Sequence, residues 1–290
     1  MIDKNSEFLK FIDYGLELAK SIPRYFSKYS NKIYCNHQHI ILLVLKQKLK
    51  TTYRGLIEWL KATSEVRLLI GLNRIPHHTT LVKFVKKLKP RLLNLLLPYK
   101  KARIVAIDTT GFELEAKSYY YRNLRYSDVK QKTKRFMKLS IAVDTDKQLI
   151  LTHRIRRDYK RCNKEFRAML KELIKVEHVM ADKQYDTKEN RKYVINKLKA
   201  IPHIPLKRTT SRKRQVFATS LFNEKIYHQR SKVEAVFSVI KRKYGSCLKS
   251  KSFAMQKIEL ICKLIAYNID RKIIFYLLLE GFSKASIQNI

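Results

Sequence analysis

The stretch ARIVAID, residues 102–108, decides how the rest of the chain is read. It is a short apolar run following Pro98 and ending on an acid, the pattern of a buried strand rather than of a helix. Downstream, MKLSIAVD (137–144) and QLILTHRI (148–155) repeat that pattern, with Asp144, Thr145, Asp146 and Lys147 as the hairpin turn between them. The periodicity then predicts a helix over 164–175, a strand HVMAD (178–182) ending on Asp182, a helix over 187–199 and a strand-like AIPHIPL (200–206). A basic connector, KRTTSRKRQ (207–215), leads to a helix around Glu234, and 256–283 reads as one or two packing helices that close the domain. Strands alternating with helices in this way predict an α/β domain over 100–290, a mixed sheet flanked by helices.

Upstream, residues 1–99 read as helical throughout. Thr51 or Thr52 can cap a helix through YRGLIEWLKA (53–62), and SEVRLLIG (64–71) ends on Gly71 as a left-handed cap. LVKFVKKLK (81–89) puts Leu81, Phe84, Val85 and Leu88 on one face and lysines on the other, with Thr79 or Thr80 as its cap. Short helices with a basic last member suggest a helix-turn-helix reader of duplex DNA, with Thr79, Thr80 and Lys83 toward the DNA. An ordinary helical bundle with solvated lysines is the alternative reading of the same pattern.

Composition narrows the partner. The 63 Lys+Arg against 24 Asp+Glu give a formal net charge of +39, spread along the whole length, which implies a polyanion, nucleic acid first. Ion-pair networks of a thermophile would need near-balanced charge instead. Cys35, Cys162, Cys247 and Cys262 are too far apart for a CxxC metal site and are expected as free thiols in a reducing cytoplasm. MIDKNSEFLKFID carries charges where a secretory signal needs an apolar core, and the longest apolar runs are too short to span a bilayer, so no membrane role is expected.

Three separated acids stand out: Asp108 in VAIDTTGFE (105–113), Asp182 in HVMADKQYD (178–186) and Glu234 in YHQRSKVEAVFSVIKRKYG (227–245). Asp108 and Asp182 end apolar strands, at the sheet edge where α/β sites form. In the third stretch Arg230, Glu234 and Lys241 fall within roughly 40° of one another on a single helix. Val233, Phe237, Ile240 and Tyr244 form an apolar stripe about 60–100° away. Each acid also has a structural reading: Asp108 and Asp182 can end strands or cap helices, and Ser231 to Glu234 matches a capping box. Arg230 four residues before Glu234 is, however, the poorer orientation for a helix-stabilising pair. Among the remaining acids, Asp144 and Asp146 fit the hairpin turn, Asp186 fits an N-cap with Glu189 three residues on, and Asp158 lies near the same elements.

These motifs resemble those of the DDE transposases of bacterial and archaeal insertion sequences, the RNase H-like class whose third acid lies in a Tyr-x2-Arg-x3-Glu-x6-Lys signature. Tyr227, Arg230, Glu234 and Lys241 match all four signature positions. Asp108-Thr109-Thr110 resembles the family's first motif and Asp182-Lys183-Gln184-Tyr185-Asp186 its second, in which Gln184 stands where the family has glycine. That departure puts the local turn geometry in question and leaves the carboxylate in place. The resemblance extends over about 52–268.

The resemblance implies an RNase H-like catalytic domain behind an N-terminal all-helical DNA-binding domain. It makes Asp108, Asp182 and Glu234 the catalytic and metal-holding residues for two Mg²⁺ per site, with Mn²⁺ as substitute. Asp108 would bridge the metals, Arg230 and Lys241 would contact phosphates, and Tyr227 would orient a phosphate or flank a base. The implied partners are double-stranded DNA, both the inverted-repeat ends of a transposon and the target, and a second copy of the chain. A metal-dependent nuclease without strand transfer, and a basic nucleic-acid-binding protein derived from a transposase, are the alternatives.

Overall fold

The computed structural model describes residues 6–98, 100–115, 136–157, 162–207 and 220–287, with Cys162 and 278–287 by backbone only. The chain forms two compact units: Pro98–Arg242 with Ser246–Lys249, and Met1–Leu97 with Lys243–Gly245 and Ser250–Ile290. Among the described residues no helix is long and apolar enough to cross a membrane. Cys35, Cys247 and Cys262 are free thiols.

The first unit is built on a mixed sheet in the order β3-β2-β1-β4-β5. Its strands are β1 (Ile104–Leu114), β2 (Phe136–Asp144), β3 (Leu149–Arg156), β4 (His178–Ala181) and β5 (Ile201–His203), with a two-residue β6 (Cys247–Leu248) also on β1. β1 to β3 form an antiparallel meander, and β4, β5 and β6 join in parallel. The turn after β2 is as expected: Asp144 Oδ1 accepts from the amides of Asp146 at 2.9 Å and Lys147 at 3.3 Å. Val105 and Ile107 on one face of β1 join Ala142, Leu151, Val179 and Ala181 in a core that α7 (Cys162–Leu170) covers with Phe166 and Met169. Such runs are apolar on both sides because the central strands are buried on both faces.

Several boundaries differ from the sequence reading. β1 does not end at Asp108 but runs six residues further, because the long β2 pairs with it as far as Glu113. β4 stops at Ala181, opposite Ile107, and β6 meets β1 only from Glu113. Residues 108–112 of β1 therefore have no strand on that side among the described residues. The helix expected over 187–199 is an α-helical turn, α8 (Lys188–Lys192), continued by a π-helical one at Tyr193–Lys197. Asp186 is not its cap: Thr187 is, accepting from the Asn190 amide at 3.1 Å, while Asp186 is buried against Arg191 at 2.8 Å. Of the basic connector only Lys207 lies within the described residues, and Asp158 lies outside them.

The second unit is all helix: α1 (Glu7–Ala19), α2 (Asn36–Lys48), α3 (Tyr53–Ala62), α4 (Ser64–Ile70), α5 (His78–Lys87), α6 (Pro90–Leu93) and the 35-residue α11 (Phe253–Ile287). Thr52 caps α3 by accepting from the Gly55 amide at 3.0 Å, and Gly71 ends α4 at a φ of 69°, both as the sequence indicates. α2 is buried on every side from Ile40 to Leu45, as a helix must be when α1, α3, α5 and α11 all pack on it. A Cβ on Gly15 of α1 would run into Ile41 and meet Ile269, so that glycine lets α1, α2 and α11 approach closely.

α11 overturns the expectation that 256–283 closes the α/β domain. It belongs with the N-terminal helices, since Leu260, Ile261, Leu264 and Ile265 are all but inaccessible and α11 packs against the buried α2. Asp270 of α11 anchors Lys48 and Lys243, each at 2.5 Å, and accepts from the Tyr244 hydroxyl. The tight helix-turn-helix is not seen either. α4 and α5 are joined by the seven residues 71–77, against the three or four of that motif.

Three buried imidazoles make stability pH-dependent. Burial pushes His39, His153 and His203 down to about 4, with neighbouring cationic charge adding to the effect at the last two. Unfolded histidines titrate near 6.5, so between about pH 6.5 and pH 4 the unfolded state binds protons that the folded state refuses. Stability is therefore complete above that window and falls as pH drops through it, by on the order of 3 kcal/mol for an imidazole as buried as His153. Urea midpoints at pH 7.5 and pH 4.5 should differ less in His153→Leu than in wild type. An unchanged difference would remove His153 from the account.

Candidate active site

Asp108 sits on β1 one position beyond the last residue paired with β4, and Asp182 is the first residue after β4. Adjacent parallel strands thus deliver both carboxylates to the edge that β4 leaves open. Asp108 Oδ1 accepts from the Thr109 amide at 2.8 Å and Asp182 Oδ1 from the Lys183 amide at 2.6 Å, which fixes one oxygen of each. Gln184, in the glycine position of the second motif, lies in the 3₁₀ turn Lys183–Tyr185 and is not among the residues with positive φ. A side chain costs nothing there.

The third acid reaches the site through Arg230. α9 (Glu224–His228) and α10 (Ser231–Tyr244) are separate helices, so Tyr227 and Arg230 precede α10 instead of lying on it. The turn between them keeps helical spacing, with the Val233 amide donating to the Arg230 carbonyl at 2.9 Å. Arg230 forks: Nη1 donates to Asp108 Oδ2 at 2.9 Å and Nη2 to Glu234 Oε1 at 2.7 Å. The capping box expected of Ser231 and Glu234 gives way to this pair, and the Ser231 hydroxyl donates to the His228 carbonyl at 3.0 Å. An arginine fork bonds two carboxylates more strongly than a cap bonds an amide.

Electrostatically the three acids and Arg230 form one group. Burial raises the Asp108 carboxyl above its usual range, opposed by the Thr109 amide and Arg230 and reinforced by the charges of Glu234 and Asp182. Burial works against the Arg230 charge, yet Asp108, Tyr227, Glu234 and Asp182 together hold the guanidinium more firmly protonated. The donors are carboxylate oxygens, which suits a hard ion of the Mg²⁺ or Mn²⁺ kind. Among the described residues, however, no three His, Cys, Asp or Glu side chains stand close enough together to hold an ion. The guanidinium supplies the positive charge in this arrangement. The chemistry of the donors fits a divalent metal, on the condition that Arg230 releases at least one carboxylate.

Behind the acids lies a buried polar chain that sequence reasoning missed. The Thr109 hydroxyl meets Ser140 Oγ at 2.9 Å and the Tyr185 hydroxyl at 2.8 Å, joining the first acidic motif to the second. Ser140 donates to Glu165 Oε2 at 2.7 Å, and Glu165 pairs with Lys138 at 2.9 Å and Arg156 at 2.8 Å. Ser140 and Lys138 interrupting an apolar strand were the available signal, because a polar residue on a buried strand needs a partner.

Of the other predicted residues, Lys241 holds its ammonium 5.6 Å from the centre of the Phe112 ring, on the β1 face that also carries Asp108. Tyr227 rests against Phe222 at 5.3 Å, with the Arg230 guanidinium 6.0 Å from its ring. Thr79, Thr80 and Lys83 belong to the helical unit. Both threonines lie inside the first turn of α5, whose N-cap is His77, so neither is the cap. Lys83 is exposed on the solvent face of α5, as the pattern required.

A family model described as a transposase DDE domain matches residues 99–269. Among solved structures the chain is similar to the piggyBac transposase in a synaptic complex with hairpin DNA. The identity is 10%, the match covers 92% of this chain and 74% of that one, and the TM-score is 0.51. At that identity the likeness concerns the fold, which is RNase H-like in its mixed sheet flanked by helices. No curated protein matches the chain.

Proposed function

Because the chain belongs to the transposase DDE-domain family, we propose that it is an insertion-sequence transposase of the prokaryotic cytoplasm. In this reading it binds the inverted-repeat ends of its element as a dimer, cuts the DNA there and joins the freed 3′-hydroxyl to target DNA. The observation that carries the reading is the Arg230 fork, which ties Asp108 to Glu234 at the open edge of β1 where Asp182 also emerges.

Asp108, Asp182 and Glu234 are the residues proposed to hold two Mg²⁺, or Mn²⁺ in their place. Bound there, the ions would help deprotonate water or a 3′-hydroxyl and offset charge on the departing oxygen. The protein's own part is positioning. The Thr109 and Lys183 amides set the orientation of the two aspartates. Arg230, once it exchanges a carboxylate for a DNA phosphate, holds the backbone beside them, and Lys241 and Tyr227 flank it. Thr79, Thr80 and Lys83 are proposed to face duplex DNA.

Strand transfer distinguishes a transposase from a nuclease. With Mg²⁺ and a pre-cut, labelled element end, the label should enter plasmid DNA when the end carries a 3′-hydroxyl and should not when it is 3′-deoxy. Cutting without any joining would leave the nuclease reading.

A further inference from the structure

We propose that the helical unit carries a pocket for an unpaired nucleotide of DNA, separate from the acidic site. The proposal rests on the reading of the chain as a DNA-handling protein but not on the chemistry at Asp108.

The segment joining α1 to α2 interleaves cations and rings: Arg24, Tyr25, Phe26, Lys28, Tyr29, Lys32 and Tyr34. Phe26 is 44% exposed and Tyr29 84% exposed, unusual for rings in a unit with so well-buried a core. Phe26 is held in place. One face of its ring stacks on Phe84 at 5.5 Å and 25°, and Phe84 stacks on His39 at 4.4 Å and 15°. It is thus the outermost member of a three-ring column.

That outer ring opens on a cavity of about 410 Å³. Pro23, Tyr25, Phe26 and Leu92 bring apolar surface to the cavity, Lys87, Lys89 and Arg91 bring cations, and among the described residues no acid lines it. The cations come from the end of α5 and the start of α6, where the chain turns without an intervening acidic residue. A flat ring laid on Phe26 and a phosphate linked to it would satisfy both sides at once, and a nucleotide is the ligand that has both. The size falls within the range of small-ligand sites. Bases inside a duplex have both faces covered by their neighbours, so the nucleotide must be unpaired.

The test uses the full chain and single-stranded oligonucleotides containing 2-aminopurine, whose fluorescence falls when the base stacks. Wild type should quench it, and Phe26→Trp should quench it too. Phe26→Ala should lose the quenching and bind single strands roughly 5- to 150-fold more weakly, the span expected of one base–aromatic stack, with duplex affinity unchanged. Lys89→Gln with Arg91→Gln should flatten the salt dependence of single-strand binding. Quenching that survives Phe26→Ala, no quenching by wild type, or Phe26-dependent binding to phosphatidylserine vesicles in place of DNA would each overturn the proposal. A chain that joins 3′-ends but does not quench would refute the pocket alone, since joining needs only the acidic site.

Discussion

Asp108→Asn should lower the rate of DNA cutting by about a thousandfold or more, since a charge that holds a catalytic ion supports several kcal/mol of transition-state stabilisation and each 1.36 kcal/mol is tenfold. DNA binding should persist, because it draws on the net charge of +39 and not on an acid. Stability should be unchanged or raised. Burial and two neighbouring carboxylates hold the Asp108 carboxyl above its usual range, so its charge at neutral pH weakens the fold. Asp182→Asn and Glu234→Gln should show the same loss of cutting. Asp144→Asn is the control: burial raises the Asp144 carboxyl too, and asparagine keeps an oxygen for the two turn amides, so it should leave both stability and cutting close to wild type. Equal losses from Asp144 and Asp108 would mean that the acids act through folding.

Glu165→Gln should be the most destabilising single change in the sheet unit. Glu165 is 1% exposed and pairs with Lys138, itself 5% exposed, and with Arg156. Removing the carboxylate charge breaks a buried ion pair from one side, which costs about 3–5 kcal/mol. The double variant Glu165→Met with Lys138→Met should recover most of that loss, since apolar groups of similar volume replace such a pair at little cost. Denaturant midpoints of the two variants decide the matter, and equal losses would show that packing rather than the pair sets the effect. Recovered stability without recovered cutting would further indicate that the chain Glu165–Ser140–Thr109 helps orient Asp108.

Much of this was legible in the residues. ARIVAID and MKLSIAVD announce strands because they are short, β-branched apolar runs that each end on an acid, and Gly71 announces its own left-handed cap. What the sequence could not give was set by tertiary pairing. β1 continues past Asp108 because β2 pairs with it across Thr109 to Glu113, a contact between distant residues. α11 leaves the domain it was expected to close because its partner, α2, lies more than two hundred positions earlier. The spacing of Arg230, Glu234 and Lys241 put them on one face, but only the fold reveals that Arg230 lies before α10 and reaches Asp108 on a strand.

Asp108 is the residue proposed to hold a catalytic ion at the edge of β1. The most direct measurement is cutting of end-containing DNA by Asp108→Cys in Mg²⁺ and in Mn²⁺. A thiolate is a poor ligand for a hard ion and a better one for a softer ion, so activity should vanish in Mg²⁺ and return in part in Mn²⁺. Undiminished cutting by Asp108→Cys in Mg²⁺, or wild-type cutting that survives chelation of all divalent ions, would contradict that role.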